Sequence, residues 1–205
     1  MKVLMINGSP HQNGTTYRAL KEIADTLNKE EVETEIVTVG DKQIFGCTAC
    51  KGCSKTGRCV KDDMVNDIIS KIEQADGLVV GSPVYYASLN GTLKCLLDRV
   101  FYAKSSFANK PAAAIAVARR AGTTTTVDEI NKYFMISNMP VVSSQYWNMV
   151  FGSNGEQAEM DEEGMQTMRT LGLNMAWLLK CIEAGKKNGI EPPSREIGKR
   201  TSFIR

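Results

Sequence analysis

Short apolar runs, each closed by turn-forming residues, alternate along this chain with helical periodicity and restrict its fold more than any other feature. Val3-Leu4-Met5-Ile6 runs into Asn7-Gly8-Ser9-Pro10; from Thr16 to Lys29, Tyr17, Leu20, Ile23, Ala24 and Leu27 then recur at three- and four-residue spacing. A buried strand therefore feeds a helix, with Asn13, Thr15 or Thr16 available as its cap. Glu35 to Val39 reads as a second strand, and Leu78-Val79-Val80, ended by Gly81-Ser82-Pro83, as a third. Ala112 to Ala118 and Val141 to Tyr146 read as the fourth and fifth. Further helices are expected after Asp62-Asp63, carrying Ile68, Ile69 and Ile72, and from about Asn90, burying Leu93, Leu96, Leu97 and Val100. Two more are expected over Val127 to Met135 and Met165 to Ala184. Strands apolar on both faces and separated by helices call for a parallel sheet covered on both sides.

At 205 residues, against roughly 150 per domain, one α/β domain over 1–188 is expected, with a cysteine-rich insertion at 41–61 and a C-terminal tail at 189–205. Twenty-five Lys and Arg against 23 Asp and Glu leave a charge of +2, without the basic footprint of a nucleic-acid binder. The apolar stretch Pro111 to Ala118 is far shorter than the roughly 20 residues of a membrane-spanning helix. Met1-Lys2 leads straight into a strand pattern instead of a signal peptide. A cytoplasmic protein is the expectation.

In such sheets ligands bind beyond the carboxyl ends of the strands. The loop Gly8-Ser9-Pro10-His11-Gln12-Asn13-Gly14-Thr15-Thr16 joins a strand to a helix N-terminus, where free amides and the helix dipole favour an anion. It contains neither G-x-G-x-x-G nor G-x-x-x-x-G-K-[ST], and no cysteine follows the first strand as a phosphatase nucleophile. A terminal phosphate monoester held by hydroxyls and amides remains, against an ordinary capped turn. After the third strand, Ser82-Pro83-Val84-Tyr85-Tyr86 offers aromatics and amides to a flat heterocycle. After the fourth, Arg119-Arg120-Ala121-Gly122 offers donors to electron-rich carbonyls.

Four of the six cysteines, Cys47, Cys50, Cys53 and Cys59, fall within thirteen residues. Bridges stabilise by closing long loops, whereas cysteines three apart can point several sulfurs at one centre, so metal or redox chemistry leads.

Together the loops resemble the NADPH-dependent FMN reductase branch of the flavodoxin-like superfamily, over nearly the whole chain. Its phosphate loop is similar to G-S-P-R-x-x-G-N-T; here His11 stands for the arginine and Thr15 for the asparagine. The resemblance implies a five-stranded parallel sheet of order 2-1-3-4-5 with helices on both faces. It implies FMN phosphate on Ser9, His11, Asn13, Gly14, Thr15 and Thr16; a charged His11 would compensate for the missing arginine, the alternative being a surface histidine uninvolved in binding. It further implies that the flavin ring meets Pro83, Val84, Tyr85 and Tyr86, and that Arg119, Arg120, Ala121 and Gly122 close its pyrimidine side. The stretch Leu93-Lys94 to Leu97-Asp98-Arg99 resembles family residues packed against the ring. C-x2-C-x2-C-x5-C resembles the motif of iron-sulfur flavoproteins, which hold a 4Fe-4S cluster near FMN; Lys51, Lys55, Arg58 and Lys61 would offset its charge. Zinc or free thiols are the competing readings of Cys47, Cys50, Cys53 and Cys59.

The resemblance implies an oxidoreductase moving electrons from NAD(P)H or a reduced carrier to a quinone, a flavin or a similar small acceptor. Chemistry would rest on FMN, with no catalytic acid-base pair or nucleophile from the chain. A non-enzymatic electron carrier partnering ferredoxin and a zinc-stabilised interaction module are the alternatives. A homodimer or homotetramer is implied, with Tyr146, Trp147 and Phe151 near the subunit boundary or in the core.

Overall fold

Alternation along the first strand sets the architecture. In β1 (Lys2–Asn7), Val3 and Met5 join one apolar cluster and Leu4 and Ile6 the other, and all four are fully buried. A strand buried on both faces needs cover on both sides. The computed structural model, which describes residues 1–104, 107–194 and 196, supplies it. β2 (Glu33–Thr38) and β3 (Gly77–Tyr85) pair with β1 in parallel, Val3 lying opposite Thr34 on one side and Gly77 on the other. β4 (Ser88–Leu89) folds back antiparallel on the end of β3. β5 (Ala112–Ala118) pairs with β3, and β6 (Met149–Phe151) with β5, giving the order β2-β1-β3-β5-β6. The expected 2-1-3-4-5 sheet is present, with one added hairpin strand.

The helices are α1 (Thr15–Lys29), α2 (Val65–Gln74), α3 (Gly91–Ala103), α4 (Thr123–Ile136), α5 (Gly155–Met160) and α6 (Glu162–Lys187). α2, α3 and α4 bury their apolar stripes with Leu4, Ile6, Leu78 and Val80; α1, α5 and α6 bury theirs with Val3, Met5, Val79 and Ile115. Side chains set the helix starts. Leu93 N donates to Asn90 Oδ1 at 3.1 Å and Gly164 N to Asp161 Oδ1 at 3.0 Å, each satisfying an amide the helix itself cannot pair. Five of the seven residues of β5 are alanine, and all seven are buried. Among the described residues no helix is long and apolar enough to cross a membrane. The tail expected at 189–205 lies mostly outside the described residues.

The short helix α5 is not among the elements expected from the sequence, and three of the expected elements differ in ways that shape the loops. β3 continues through Gly81-Ser82-Pro83 to Tyr85. Gly81 O accepts from Gly8 N at 2.8 Å, so Gly81 and, two residues on, Pro83 face the β1 side. The register with β1 ends at Gly81, so the N–H that proline lacks would have no ladder partner. The fifth parallel strand is Met149–Phe151 and not Val141 to Tyr146. Val141 makes only an isolated bridge to Ala112. The chain then leaves the sheet in a serine turn, Tyr146 N donating to Ser144 Oγ at 3.3 Å, and returns where Ala116 N donates to Asn148 O at 3.0 Å. Last, α4 begins at Thr123, four residues before Val127, directly after the left-handed Gly122 (φ 90°).

Lys94, Asp98 and Tyr133 join α3 to α4. Lys94 Nζ lies 3.1 Å from Asp98 Oδ1 and 3.0 Å from Tyr133 Oη, and the Tyr133 hydroxyl donates to Asp98. Burial first, and the bond to Asp98 second, push the Tyr133 phenol up to about 12 from an ordinary 10.0. A raised folded-state pKa gives stability that is complete below pH 10 and lost as pH climbs through 12. Tyr133→Phe should delete the latest-ionising tyrosine from an ultraviolet pH titration and soften the alkaline loss of stability. A late phase surviving in that variant would assign the ionisation to another residue.

Candidate functional site

The carboxyl ends of β1, β3, β5 and β6 bring four loops together around the start of α1. The first loop is organised by its own side chains. Buried Asn7 accepts from Ser9 N at 3.0 Å and donates to Thr38 Oγ1 at 3.2 Å; Ser9 Oγ accepts from His11 N at 3.2 Å, and His11 O from Gly14 N at 3.3 Å. Gly8 must be glycine, since a Cβ there would lie 2.6 Å from Leu93 Cδ2 and 2.9 Å from Gly81 O. Gly14 caps α1 without a side-chain bond, and no acidic residue occupies the first turn. The opening amides of α1 thus have neither intrahelical nor side-chain acceptors. Thr16 is 1% exposed, and its Oγ1 has no hydrogen-bond partner.

These loops enclose a cleft of about 810 Å³. Of the residues singled out in the sequence, Ser9, His11, Asn13, Gly14, Thr15, Thr16, Pro83, Val84, Tyr85 and Arg119 line it. Tyr86, Arg120, Ala121 and Gly122 do not. Tyr86 sits fully exposed at the hairpin tip with φ 60°, and Arg120 and Ala121 project to solvent. Gly122 packs on Val84, whose Cγ1 would lie 2.7 Å from an added Cβ. Sequence reasoning missed the fourth wall, Gly152-Ser153-Asn154-Gly155, because the strand before it was placed too early. Its signal was a second Gly-Ser turn after an apolar run, echoing Gly8-Ser9. Thr15 Oγ1 donates to Gly152 O at 3.4 Å, and a Cβ on Gly155 would lie 2.8 Å from Asn13 O, so this wall abuts the first loop. Tyr146 and Trp147 lie outside the cleft, exposed and packed edge to face at 4.8 Å. A second cavity, about 680 Å³, lies at the amino ends of β1, β3 and β5, among Met1, Asp76, Pro111 and α6, away from these loops.

The expectation for α3 also changes. Lys94, Asp98 and Arg99 do not line the cleft, because the helix turns them elsewhere. Arg99, 2% exposed, points into the cysteine loop: its Nε and Nη2 donate to Cys59 Sγ at 3.3 and 3.0 Å, and Nη1 to Phe45 O at 3.1 Å and to Asp63. Burial pushes the Cys59 thiol up, but the Lys61 amide and the Arg99 guanidinium outweigh it, and the net shift is downward. Cys47, Cys50, Cys53 and Cys59 together line a cavity of about 20 Å³ with Arg99 and Tyr102. None of the four is in a disulfide. Among the described residues no three His, Cys, Asp or Glu side chains converge at coordinating distance. Ala49 (φ 52°) and Lys51 (φ 59°) are left-handed within the segment that carries Cys47, Cys50 and Cys53. In donor type, four cysteines around one cavity, this set suits a thiolate-ligated metal centre.

An open parallel sheet whose strand order reverses between β1 and β3, with its cleft at that switch point, defines a flavodoxin-like α/β protein. The family model for NADPH-dependent FMN reductase matches residues 1–154, and the chain belongs to that family. An iron-sulfur flavoprotein of Methanocaldococcus jannaschii is 34% identical over 192 residues, covering 89% of this chain and 100% of that protein. An iron-sulfur flavoprotein of Methanosarcina thermophila is 31% identical over 91% of this chain and 99% of its own. A solved flavodoxin from the domain Archaea is alike in fold, with TM-score 0.61 and 14% identity over 88% of this chain and 99% of that one.

Proposed function

We propose that the protein is an FMN-dependent oxidoreductase passing electrons from a reduced nicotinamide or a reduced carrier to a small acceptor, with a 4Fe-4S cluster on Cys47, Cys50, Cys53 and Cys59. The observation that carries the flavin is the cradle at α1: free amides, no carboxylate in the first turn, and a buried Thr16 hydroxyl lacking a partner. A phosphate monoester satisfies all of these together. Ser9, Thr15 and Thr16 would hold the phosphate, and His11 on the cleft rim would add charge. Val84 and Tyr85 would flank the ring, and Arg119 would donate to its carbonyl side. Bound FMN supplies the hydride and electron chemistry. The chain's own part is to orient the ring, supply donors to it and shield it with Tyr85 and the 152–155 wall. The matched family and the two iron-sulfur flavoproteins support the reading.

A non-enzymatic electron carrier is the second reading, favoured by the exposure of Cys47 and Cys50. An absorption spectrum of anaerobically purified protein, before and after NADPH, separates the two. A flavin band with a broad iron-sulfur shoulder, both bleached by NADPH and followed by steady turnover with a quinone, is expected for the enzyme. Bleaching by reduced ferredoxin alone would favour the carrier, and colourless protein would remove both. Cys53→Ser should abolish bound iron while FMN binds as before; retained iron would reject the four-cysteine assignment.

A further inference from the structure

An arginine buried in the middle of α3 is costly unless every donor is used. Arg99 spends its donors on one loop. Two N–H groups of the guanidinium converge on Cys59 Sγ, at 3.3 and 3.0 Å, while the third nitrogen is tied to Phe45 O at 3.1 Å and to the Asp63 carboxylate. The side chains of Arg99 and Asp63 are only 1% and 7% exposed. The same cysteine is held from behind: Asn66 accepts from Cys59 N and donates to Cys59 O, both at 2.8 Å. Cys59 is thus fixed at its backbone and its sulfur before any ligand arrives. The other three are held far more loosely; Cys47 Sγ accepts a single long bond from Ala49 N at 3.5 Å. Among the described residues no side chain bonds to Cys50 or Cys53.

We propose that Arg99 is the positioning residue of the cysteine loop: it holds Cys59 as the fixed ligand of the metal centre and, through its two N–H···S bonds, raises that centre's reduction potential. This rests on the four-cysteine reading above and adds a residue outside the cysteine motif to it. The physical reason is that donors aimed at a ligand sulfur stabilise the electron-rich, reduced form more than the oxidised one. Outer partners of this kind also hold a ligand in its binding geometry, and their loss typically weakens metal binding by about 10- to 100-fold. Lysine cannot reproduce the effect, since one ammonium lacks the planar fork that reaches Cys59 and Asp63 together.

The test compares anaerobically reconstituted wild type with Arg99→Lys and with the double variant Arg99→Gln/Asp63→Asn, which removes the buried charges as a pair. FMN titration checks that each variant is folded. Iron loss to a chelator and the midpoint potential of the metal centre, followed by absorbance and electron paramagnetic resonance, are the readouts. The double variant should bind FMN as wild type does, lose iron about tenfold faster or more, and titrate at a more negative potential, with Arg99→Lys shifted the same way. Iron-loaded variants with wild-type potential and wild-type iron retention would overturn the role of Arg99 while leaving the cluster reading intact. Loss of FMN and iron together in both variants would make Arg99 a determinant of the fold and also overturn it. Wild type that takes up no iron would overturn the four-cysteine reading, and this inference with it.

Discussion

Thr16→Val should stabilise the flavin-free protein and weaken its affinity for FMN. Valine keeps the shape of threonine, so the methyl contact over Gly81, where an added Cβ would sit 3.1 Å from Thr16 Cγ2, is preserved. Only the hydroxyl is lost. In the free protein that hydroxyl is buried without a partner, and removing it should gain about 1 kcal/mol. In the complex it would donate to a charged phosphate, a bond worth about 1.5–3 kcal/mol, so the dissociation constant should rise roughly tenfold to a hundredfold. Urea denaturation without flavin and fluorescence titration with FMN read the two effects separately. A variant less stable without flavin and unchanged in affinity would show that Thr16 serves packing alone.

Gly40→Ala should damage the same site from behind. Gly40 follows β2, and a Cβ there would lie 2.3 Å from Gly8 O, 2.3 Å from the Ser9 carbonyl carbon and 2.5 Å from Pro10 N. These are backbone atoms of the first loop, so no rotamer change relieves the clash. Overpacking of this kind costs about 1–3 kcal/mol, and the displaced loop should bind FMN about tenfold more weakly or worse. Gly91→Ala is the matched control, because an added Cβ there meets nothing within 4 Å. Equal FMN affinity in Gly40→Ala and wild type would mean that the loop shifts without disturbing its donors.

What could be read in the sequence follows from how local each signal was. The first strand, turn and helix are written in consecutive residues, so β1, the Gly8 to Thr16 loop and α1 were legible together. The place of Thr16 in the cleft followed from a helix start. The fifth strand was misplaced because Val141 and Val142 are apolar for another reason: they touch β5 at one bridge before Ser144 turns the chain away. That error hid the 152–155 wall. The hairpin residues Tyr85 and Tyr86 read alike in sequence, but the left-handed backbone at Tyr86 turns it out of the cleft. Arg99 shows the limit most clearly. Its neighbours in sequence suggested the flavin, while its true partners, Phe45, Cys59 and Asp63, are brought to it only by tertiary folding.

β5 bears on how this molecule can vary. A strand built mostly of alanine lets both helical layers approach the sheet closely, so the two apolar clusters are separated by little more than a backbone. Ala113 belongs to one cluster and Ala114 to the other. In packing this dense, one added methylene at Ala113 pushes on the α1 and α6 layer, and one at Ala114 on the α2 to α4 layer. Either push tilts the strand whose next residue is Arg119. Substitutions deep in the molecule are therefore expressed at its rim, and relatives that retain the sheet but widen this strand are the ones whose ligand preferences should diverge.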